Sequence, residues 1–346
     1  MNARQRFLET LRFGQPDRPP YYDLPIRDEV LERWYKEGFP RGASVAELFG
    51  LDHWELFGPR EDVSLNLYMN KPFKGRLRTR ADFRRLQRSY DPSDPQRYPP
   101  DWDEHVRRWK ERDYPLGITA WRGWFQSLAV GDWSSLLDVL YLIYDDPKLL
   151  DEMTAFITDF TLAVIERALR EVQFDYAVFD EPIASNHAPV ISPQHFRRFL
   201  LPAYRRIIER LREAGIEIFI WDTHGHVGPL LPVCLEAGIN CLWSGDSKVS
   251  STDYVKLRAR YGRRLALIGG IDLRVLYQDE AAIRAEIEAT VPPLLASGGY
   301  VPMVDGRLRR GVPYRNYVLY RTLIQELVAA QAAVDDDAAS LRGGKE

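Results

Sequence analysis

The residues best placed for chemistry stand in 221-Trp-Asp-Thr-His-Gly-His-226, directly after an apolar run of strand length. Two imidazoles spaced i, i+2, with Gly225 free to bend the backbone between them, can grip one metal ion, and neutral imidazole suits zinc. A third ligand has to come from elsewhere, and Asp305 and Glu181 are the carboxylates to consider. The alternative is that both imidazoles only hydrogen-bond loop carbonyls. A second cluster is 179-Phe-Asp-Glu-Pro-182. Adjacent acids point to opposite sides of a strand and can converge where it ends. Crowding then raises the pKa of one, which makes Asp180 or Glu181 a proton donor or acceptor. The alternative is that Asp180 caps a turn while Glu181 faces solvent. Asp222, inside the histidine motif, is a third acid for the same work.

These motifs need a scaffold that brings strand ends together, and the second half of the chain reads as one. The runs 174-FDYAVFD-180, 216-IEIFIWD-222, 239-INCLWSGD-246, 265-LALIGGID-272 and 298-GGYVPMVD-305 are apolar and continuous, as expected of parallel strands buried on both faces. All five end in an acid. Between them lie helical patterns. Asp146-Pro147 opens one that carries Leu149, Leu150, Met153, Phe156, Ile157, Phe160, Val164 and Ile165. Ser192-Pro193 opens another, with Pro202 predicting a bend and Gly215 a stop.

Alternating strands and helices predict an α/β fold, a (β/α)8 TIM barrel over residues 1–328, with a doubly wound open sheet as the rival. In a barrel the strands' carboxyl ends share the active-site face, so Asp246 and Asp272 are expected to contact substrate there. Helix capping is the ordinary alternative for any single Asp. Earlier strands are expected at 19-PPYYDLP-25 and 114-YPLGITA-120, within a first half that is otherwise irregular and aromatic-rich from Phe39 to Pro115. From Ala329 the polar tail is expected to fray.

Composition removes several classes. The 346 residues carry 47 Lys plus Arg against 50 Asp plus Glu, a formal net charge of −3, so no basic excess points to nucleic acid. No run approaches the roughly 20 apolar residues that span a bilayer, and the charged start MNARQRFLETLRFG lacks a signal-peptide core. A soluble, cytoplasmic protein is expected. Cys234 and Cys241 lie in a helical segment and at a strand start, with no activating cation beside them, and read as packing residues. Trp121, Trp124 and Trp133 line either a pocket or the core. Gly269-Gly270 is not followed by a phosphate-binding glycine pattern.

The ordered pattern resembles the uroporphyrinogen decarboxylase superfamily. The likeness rests on 6-RFLETLRFGQPDRPP-20, on Phe179 through Ile191-Ser192-Pro193 to Phe199-Leu200-Leu201-Pro202, and on His224-Gly225-His226. It continues through Tyr261-Gly262 with Ile268-Gly269-Gly270-Ile271-Asp272, to Gly298-Gly299-Tyr300 and Val312-Pro313-Tyr314-Arg315-Asn316-Tyr317. It is dense from about 146 to 328. The resemblance implies a (β/α)8 barrel with one cleft at the strands' carboxyl ends. Its decarboxylase branch, the lyases of porphyrin synthesis, works without metal and holds substrate carboxylates with a basic Gln-, Gly- and Arg-rich segment. The stretch 19-PPYYDLPIRDEVLERW-34 offers Arg27 but lacks that run, which counts against a substrate with eight carboxylates.

The other branch comprises methyltransferases and demethylases linked to cobalamin, some with a zinc site of one histidine and two cysteines. By that likeness His224, His226 and Asp305 hold the metal positions, with both thiolates replaced. Glu181 is carried over as a ligand or base; Trp121 is expected to contact substrate as one of the tryptophans of a pocket. No corrinoid-binding signature occurs in the chain, so the resemblance places the corrinoid on a separate protein, and it admits a homodimer. The leading expectation is zinc-dependent methyl transfer or demethylation with that corrinoid partner. Metal-free decarboxylation is the second reading, and a barrel that binds a ligand or a corrinoid protein without turnover is the third.

Overall fold

The computed structural model describes residues 1–58 and 75–343, with side chains described as far as residue 334. Residues 59–74, part of the stretch read as irregular, and residues 344–346, part of the tail, lie outside the described residues. The chain divides into two compact units, one of residues 55–240 and one of residues 1–54 with 241–346.

The unit 55–240 is built on four parallel strands in chain order: β1 (Glu55–Phe57), β2 (Leu116–Arg122), β3 (Tyr176–Asp180) and β4 (Ile218–His224). Their registers run Phe57 beside Ile118, Ile118 beside Ala177 and Phe179 beside Trp221. The apolar runs that predict β3 and β4 are buried along almost their whole length, because helices cover them.

Helix Pro147–Glu171 starts as expected at Asp146, whose side chain accepts the Leu149 N–H at 3.0 Å. Helix Pro193–Glu213 starts at Ser192, whose hydroxyl accepts the His195 N–H at 3.1 Å, and it runs unbroken through Pro202. The chain leaves it through Gly215, at φ +86°. Where β2 and β3 begin, Asp175 accepts the Leu116 N–H at 3.0 Å and pairs with the buried Arg112 guanidinium at 3.0 Å, so both strand starts are pinned together. Helix Leu231–Ala237 contains Cys234, which is fully buried.

The unit of residues 1–54 and 241–346 holds β5 (Cys241–Gly245), β6 (Ala266–Ile271) and β7 (Tyr300–Val304), again parallel and in chain order. Its amino-terminal helix Ala3–Leu11 is tied by charge. Arg6 bonds Asp17 at 2.8 Å and Asp52 at 2.7 Å, and Arg18 bonds Asp52 at 2.7 Å. The Pro-Asp-Arg motif, residues 16–18, is therefore a structural clasp. A second clasp lies deeper, where the buried Asp23 accepts from the Tyr317 hydroxyl at 2.9 Å and faces Arg321 at 3.3 Å.

Two expectations change. Residues 19–25 form no strand, since Pro19, Pro20 and Pro25 have no N–H to offer a ladder. Seven strands, not eight, occur among the described residues. The α/β class with parallel strands holds, and the closed eight-stranded barrel is not completed among them. Helix Tyr314–Gly343 continues past Ala329 into the tail. An alanine-rich stretch extends an existing helix at little cost, since nucleation has already occurred. No described helix is long and apolar enough to cross a membrane.

Candidate active site

Strand parity decides where the acids of β3 go. Trp121, Phe179 and Trp221 turn toward helix Pro193–Glu213. The rings of Trp121 and Phe179 pack on Tyr204 at centroid distances of 5.8 and 4.8 Å, and Trp221 meets Phe196 at 6.4 Å. Their neighbours in sequence, Arg122, Asp180 and Asp222, point to the opposite face. The registers align these three, with Arg122 beside Asp180 and Asp180 beside Asp222. The carboxyl ends of β2, β3 and β4 thus carry a row of one cation and two anions, each half-buried. Arg122 makes no ion pair among the described residues.

Glu181 does not join that row. It is fully buried and belongs to the helix-side layer. One carboxylate oxygen accepts the Trp124 backbone N–H at 2.8 Å. The other accepts the Trp121 indole N–H at 2.7 Å and the Tyr204 hydroxyl at 3.0 Å. Burial pushes its carboxyl up to about 7 against the opposing pull of these three donors, and the neighbouring Asp180 charge adds to the rise. Its backbone is fixed as well, because Thr223 donates to the Glu181 carbonyl at 2.7 Å and the Glu181 N–H reaches the Asp222 carbonyl at 2.8 Å. Glu181 therefore locks the turn after β2, where Gly123 sits at φ +74°, to the ends of β3 and β4. Trp121 is wholly buried in the same layer.

The histidine turn is clamped from beneath. Gly225 adopts φ +83°, and a Cβ there would stand 2.5 Å from the Ser185 carbonyl oxygen, so no other residue fits. The His226 N–H donates to that same oxygen at 2.7 Å. His224 is exposed and His226 half-buried.

In the other unit the acids after β5, β6 and β7 have separate duties. Asp305 is buried, and burial raises its carboxyl above the usual range. One oxygen accepts the Ser247 N–H and hydroxyl at 2.8 and 2.7 Å, and the other accepts the Leu273 N–H at 3.0 Å. It ties the loops after β5 and β6 to β7. Asp272 takes the capping role, accepting the Arg274 N–H at 2.9 Å and pairing with its guanidinium at 2.7 Å. Asp246 is exposed and held at φ +51° by two backbone bonds, its N–H to the Asp305 carbonyl and its own carbonyl to the Ser250 N–H. Arg27 caps helix Asp28–Lys36 by position, without a side-chain capping bond.

Both cysteines are buried with their thiols pushed up, as packing residues should be. Among the described residues no three or more His, Cys, Asp or Glu side chains gather as a metal shell. The residue that sequence reasoning passed over is Arg122. It ends the run from Tyr114 just as an acid ends each later run, and that shared position was its signal.

A parallel α/β scaffold with charged side chains gathered at its strand ends is the architecture of many enzymes, and the comparisons narrow it. The uroporphyrinogen decarboxylase (URO-D) family matches residues 128–305, just over half of the chain. The chain belongs to that family. Among curated relatives, uroporphyrinogen decarboxylase of Nocardia farcinica is 29% identical over 42% of this chain and 38% of its own length. That of Chromohalobacter salexigens is 32% identical over 49% of this chain and 45% of its own length. The chain thus matches less than half the length of these two relatives. A solved methyltransferase from Methanosarcina mazei covers 94% of this chain and 99% of its own, with a TM-score of 0.60 at 15% identity, and so shares the fold.

Proposed function

We propose that this URO-D-family enzyme transfers or removes a methyl group on a small anionic substrate bound at the carboxyl ends of β2, β3 and β4, with the corrinoid on a separate protein. The observation that carries the reading is the in-register row of Arg122, Asp180 and Asp222 beside the clamped His224–His226 turn. Arg122 offers a carboxylate a forked, permanently charged donor. Asp180 and Asp222 stand where they can exchange protons with the bound molecule, and the imidazoles of His224 and His226 can do the same. Glu181 keeps the three strand ends in place from behind. The fold shared with a methyltransferase favours methyl transfer, and the corrinoid would supply or accept the methyl group.

Zinc on His224, His226 and Asp305 belongs to this reading as a proposal. Asp305 already accepts three hydrogen bonds, and no three-ligand group occurs among the described residues, so the donor set does not fit a ready shell. The proton chemistry above is assigned without it. The test is an assay of the pure protein with a methylated corrinoid protein, alongside elemental analysis after zinc loading. Turnover that Asp222→Asn abolishes and Arg122→Ala weakens through KM supports the site. Zinc bound one per chain and lost in His224→Ala would bring the metal into it.

Decarboxylation is the second reading, and Arg122 favours it, because a carboxylate-bearing substrate requires a cation. Conversion of uroporphyrinogen III by the pure protein decides for it, and ligand binding with no turnover in either assay would leave a binding protein.

A further inference from the structure

The stretch from Tyr254 to Ile271, in the unit of residues 1–54 and 241–346, carries Lys256, Arg258, Arg260, Arg263 and Arg264 and no Asp or Glu. Helix Tyr254–Tyr261 and the turn Gly262–Arg264 place the four arginines where the chain enters β6. Two rings hold them. The guanidiniums of Arg258 and Arg263 lie over Phe13 at 4.8 and 5.1 Å from its centroid, and those of Arg260 and Arg264 lie over Tyr261 at 5.2 and 6.0 Å. Phe13, at φ +57°, is wedged against Gly299, where a Cβ would run into the ring. The cluster therefore sits at the amino ends of β6 and β7, at the opposite ends of these strands from Asp272 and Asp305.

These charges have no carboxylate. None of the four arginines makes an ion pair among the described residues. Arg258 donates to the carbonyls of Gly262, Leu265 and Gly299 at 2.7, 2.9 and 3.0 Å, and Arg263 to that of Phe13 at 2.6 Å. Carbonyls satisfy donors without cancelling charge, and the end of the helix contributes only about half a negative charge against four positive ones. Asp253 is spent at the other end of that helix, where it accepts the Val255 and Lys256 N–H groups at 3.0 and 3.1 Å. The distances to Phe13 keep the Arg258 and Arg263 guanidiniums within about 10 Å of each other, one screening length at ordinary salt, so they repel. Burial pushes the Arg258 guanidinium down to about 10, and the Arg263 charge adds to the fall. Two buried donors are also idle. The Arg258 Nε and the hydroxyl of Tyr261, a residue 7% exposed, have no hydrogen-bond partner among the described residues, which is costly for buried polar groups.

We propose that this cluster is a binding site for a small multivalent oxyanion, one that carries two or more phosphate or carboxylate groups. Charge argues for several groups on the ligand, because each guanidinium is a fork for one oxyanion and a single negative charge leaves most of the four uncompensated. The idle donors argue for a small ligand. They are buried, so an anion that uses them must settle among the arginine side chains, where it gives the Tyr261 hydroxyl an acceptor. The rings argue against a nucleotide, since both already carry guanidiniums and neither is free to stack a base. A membrane is disfavoured as well, because no large apolar side chain is exposed from Tyr254 to Ile271.

Isothermal titration calorimetry of the full chain with pyrophosphate tests the proposal, with citrate as a second arm and sulfate at equal ionic strength as the control. One anion per chain should bind, with a Kd on the order of 10–100 µM, and the tighter of the two arms tells phosphate from carboxylate. Arg260→Gln/Arg264→Gln should weaken binding at least about tenfold, as loss of charged hydrogen bonds does, with circular dichroism unchanged because both side chains are exposed. Tyr261→Phe should weaken it about threefold, the loss of one neutral hydrogen bond. The bound anion should raise the unfolding midpoint of the wild type and not of the glutamine pair. Arg122→Ala should leave the affinity unchanged, which separates this site from the proposed substrate site. Absence of binding in both arms overturns the proposal, as does an affinity that sulfate matches. Binding that survives in the glutamine pair and is lost in Arg122→Ala would overturn it too.

Discussion

Replacing Glu181 by Gln should change how stability depends on pH, and the structure sets the size of the change. The Glu181 carboxyl ordinarily titrates near 4.5, and burial moves it to about 7 in the folded chain. A folded pKa above the unfolded one means that folding favours the protonated form. This contribution is complete below about pH 4.5 and is lost as pH rises through 7. Each tenfold change in proton affinity is worth about 1.4 kcal/mol, so crossing the whole window costs the wild type roughly 3 kcal/mol.

Tyr204 accommodates both states, because its hydroxyl can donate to the carboxylate or turn to accept from the acid. The glutamine variant has no proton to lose, so this share of the slope vanishes. It carries an offset instead, since its amide N–H₂ must face one of the donors that an oxygen now accepts, a cost of about 1–3 kcal/mol at every pH. Asp23 and Asp305 also titrate high in the folded state, but they are common to both proteins and cancel in the difference.

The assay is thermal or urea unfolding of both proteins from pH 5 to 8. Wild type should lead at pH 5, and the gap should narrow or reverse by pH 8. A carbonyl stretch of protonated carboxylic acid, titrating near 7 in wild type and missing in Glu181→Gln, is the second readout. A stability difference that stays constant across the range would refute the reasoning, since it would mean that Glu181 is already ionised at pH 5 despite its burial.

Other consequences are as direct. Gly225→Ala puts a Cβ 2.5 Å from the Ser185 carbonyl at φ +83° and should cost about 2 kcal/mol or more in unfolding experiments. The same change at the open Gly215 should cost less, since no atom lies within 4 Å there. Asp305→Asn turns an N–H₂ toward the Ser247 or Leu273 donors and should destabilise by about 1–3 kcal/mol in the same experiments. Arg122→Ala should raise KM for an anionic substrate at least about tenfold, with a smaller effect from Arg122→Lys, since a lysine keeps the charge but loses the fork. An unchanged KM in steady-state assays would remove Arg122 from the site.

What was legible in the sequence was whatever short-range rules control. Asp146-Pro147 and Ser192-Pro193 open helices because a capping side chain and a ring without an N–H act within one turn. The five acid-ended runs became strands, with four of those acids at or just past the carboxyl ends and Asp222 two residues before the end of β4, because burial on both faces leaves its mark in every residue of a run. The first strand escaped notice because three residues, Glu55–Phe57, are too few to show a period. Residues 19–25 misled for the opposite reason, since their apolar content resembles a strand while their prolines forbid the ladder. The exposure of Trp133, Leu137, Tyr141 and Tyr144 on helix Trp133–Asp145 is invisible to pattern reading, which treats an apolar residue as a buried one.

The fate of Asp180 and Glu181 is the harder case. Two acids in sequence have equal claims on a role in proton transfer, and a one-residue step of strand parity divides them. Asp180 stays at the half-open end of the row with Arg122 and Asp222. Glu181 goes behind the strands to Trp121, Trp124 and Tyr204, partners 60, 57 and 23 positions away. A side chain's own neighbours in sequence cannot show such partners. The resulting arrangement separates two duties that the sequence runs together. A carboxyl near pKa 7 is often a sign of catalysis. Here its oxygens are already taken by three buried donors, so its raised pKa measures the depth of the layer that holds the strand ends, and the proposed function gives proton exchange with a bound molecule to Asp180 and Asp222. If Glu181→Gln keeps turnover at pH 7 while Asp180→Asn and Asp222→Asn lose it, the division stands. Loss of turnover in Glu181→Gln at full stability, with both Asn variants active, would invert it.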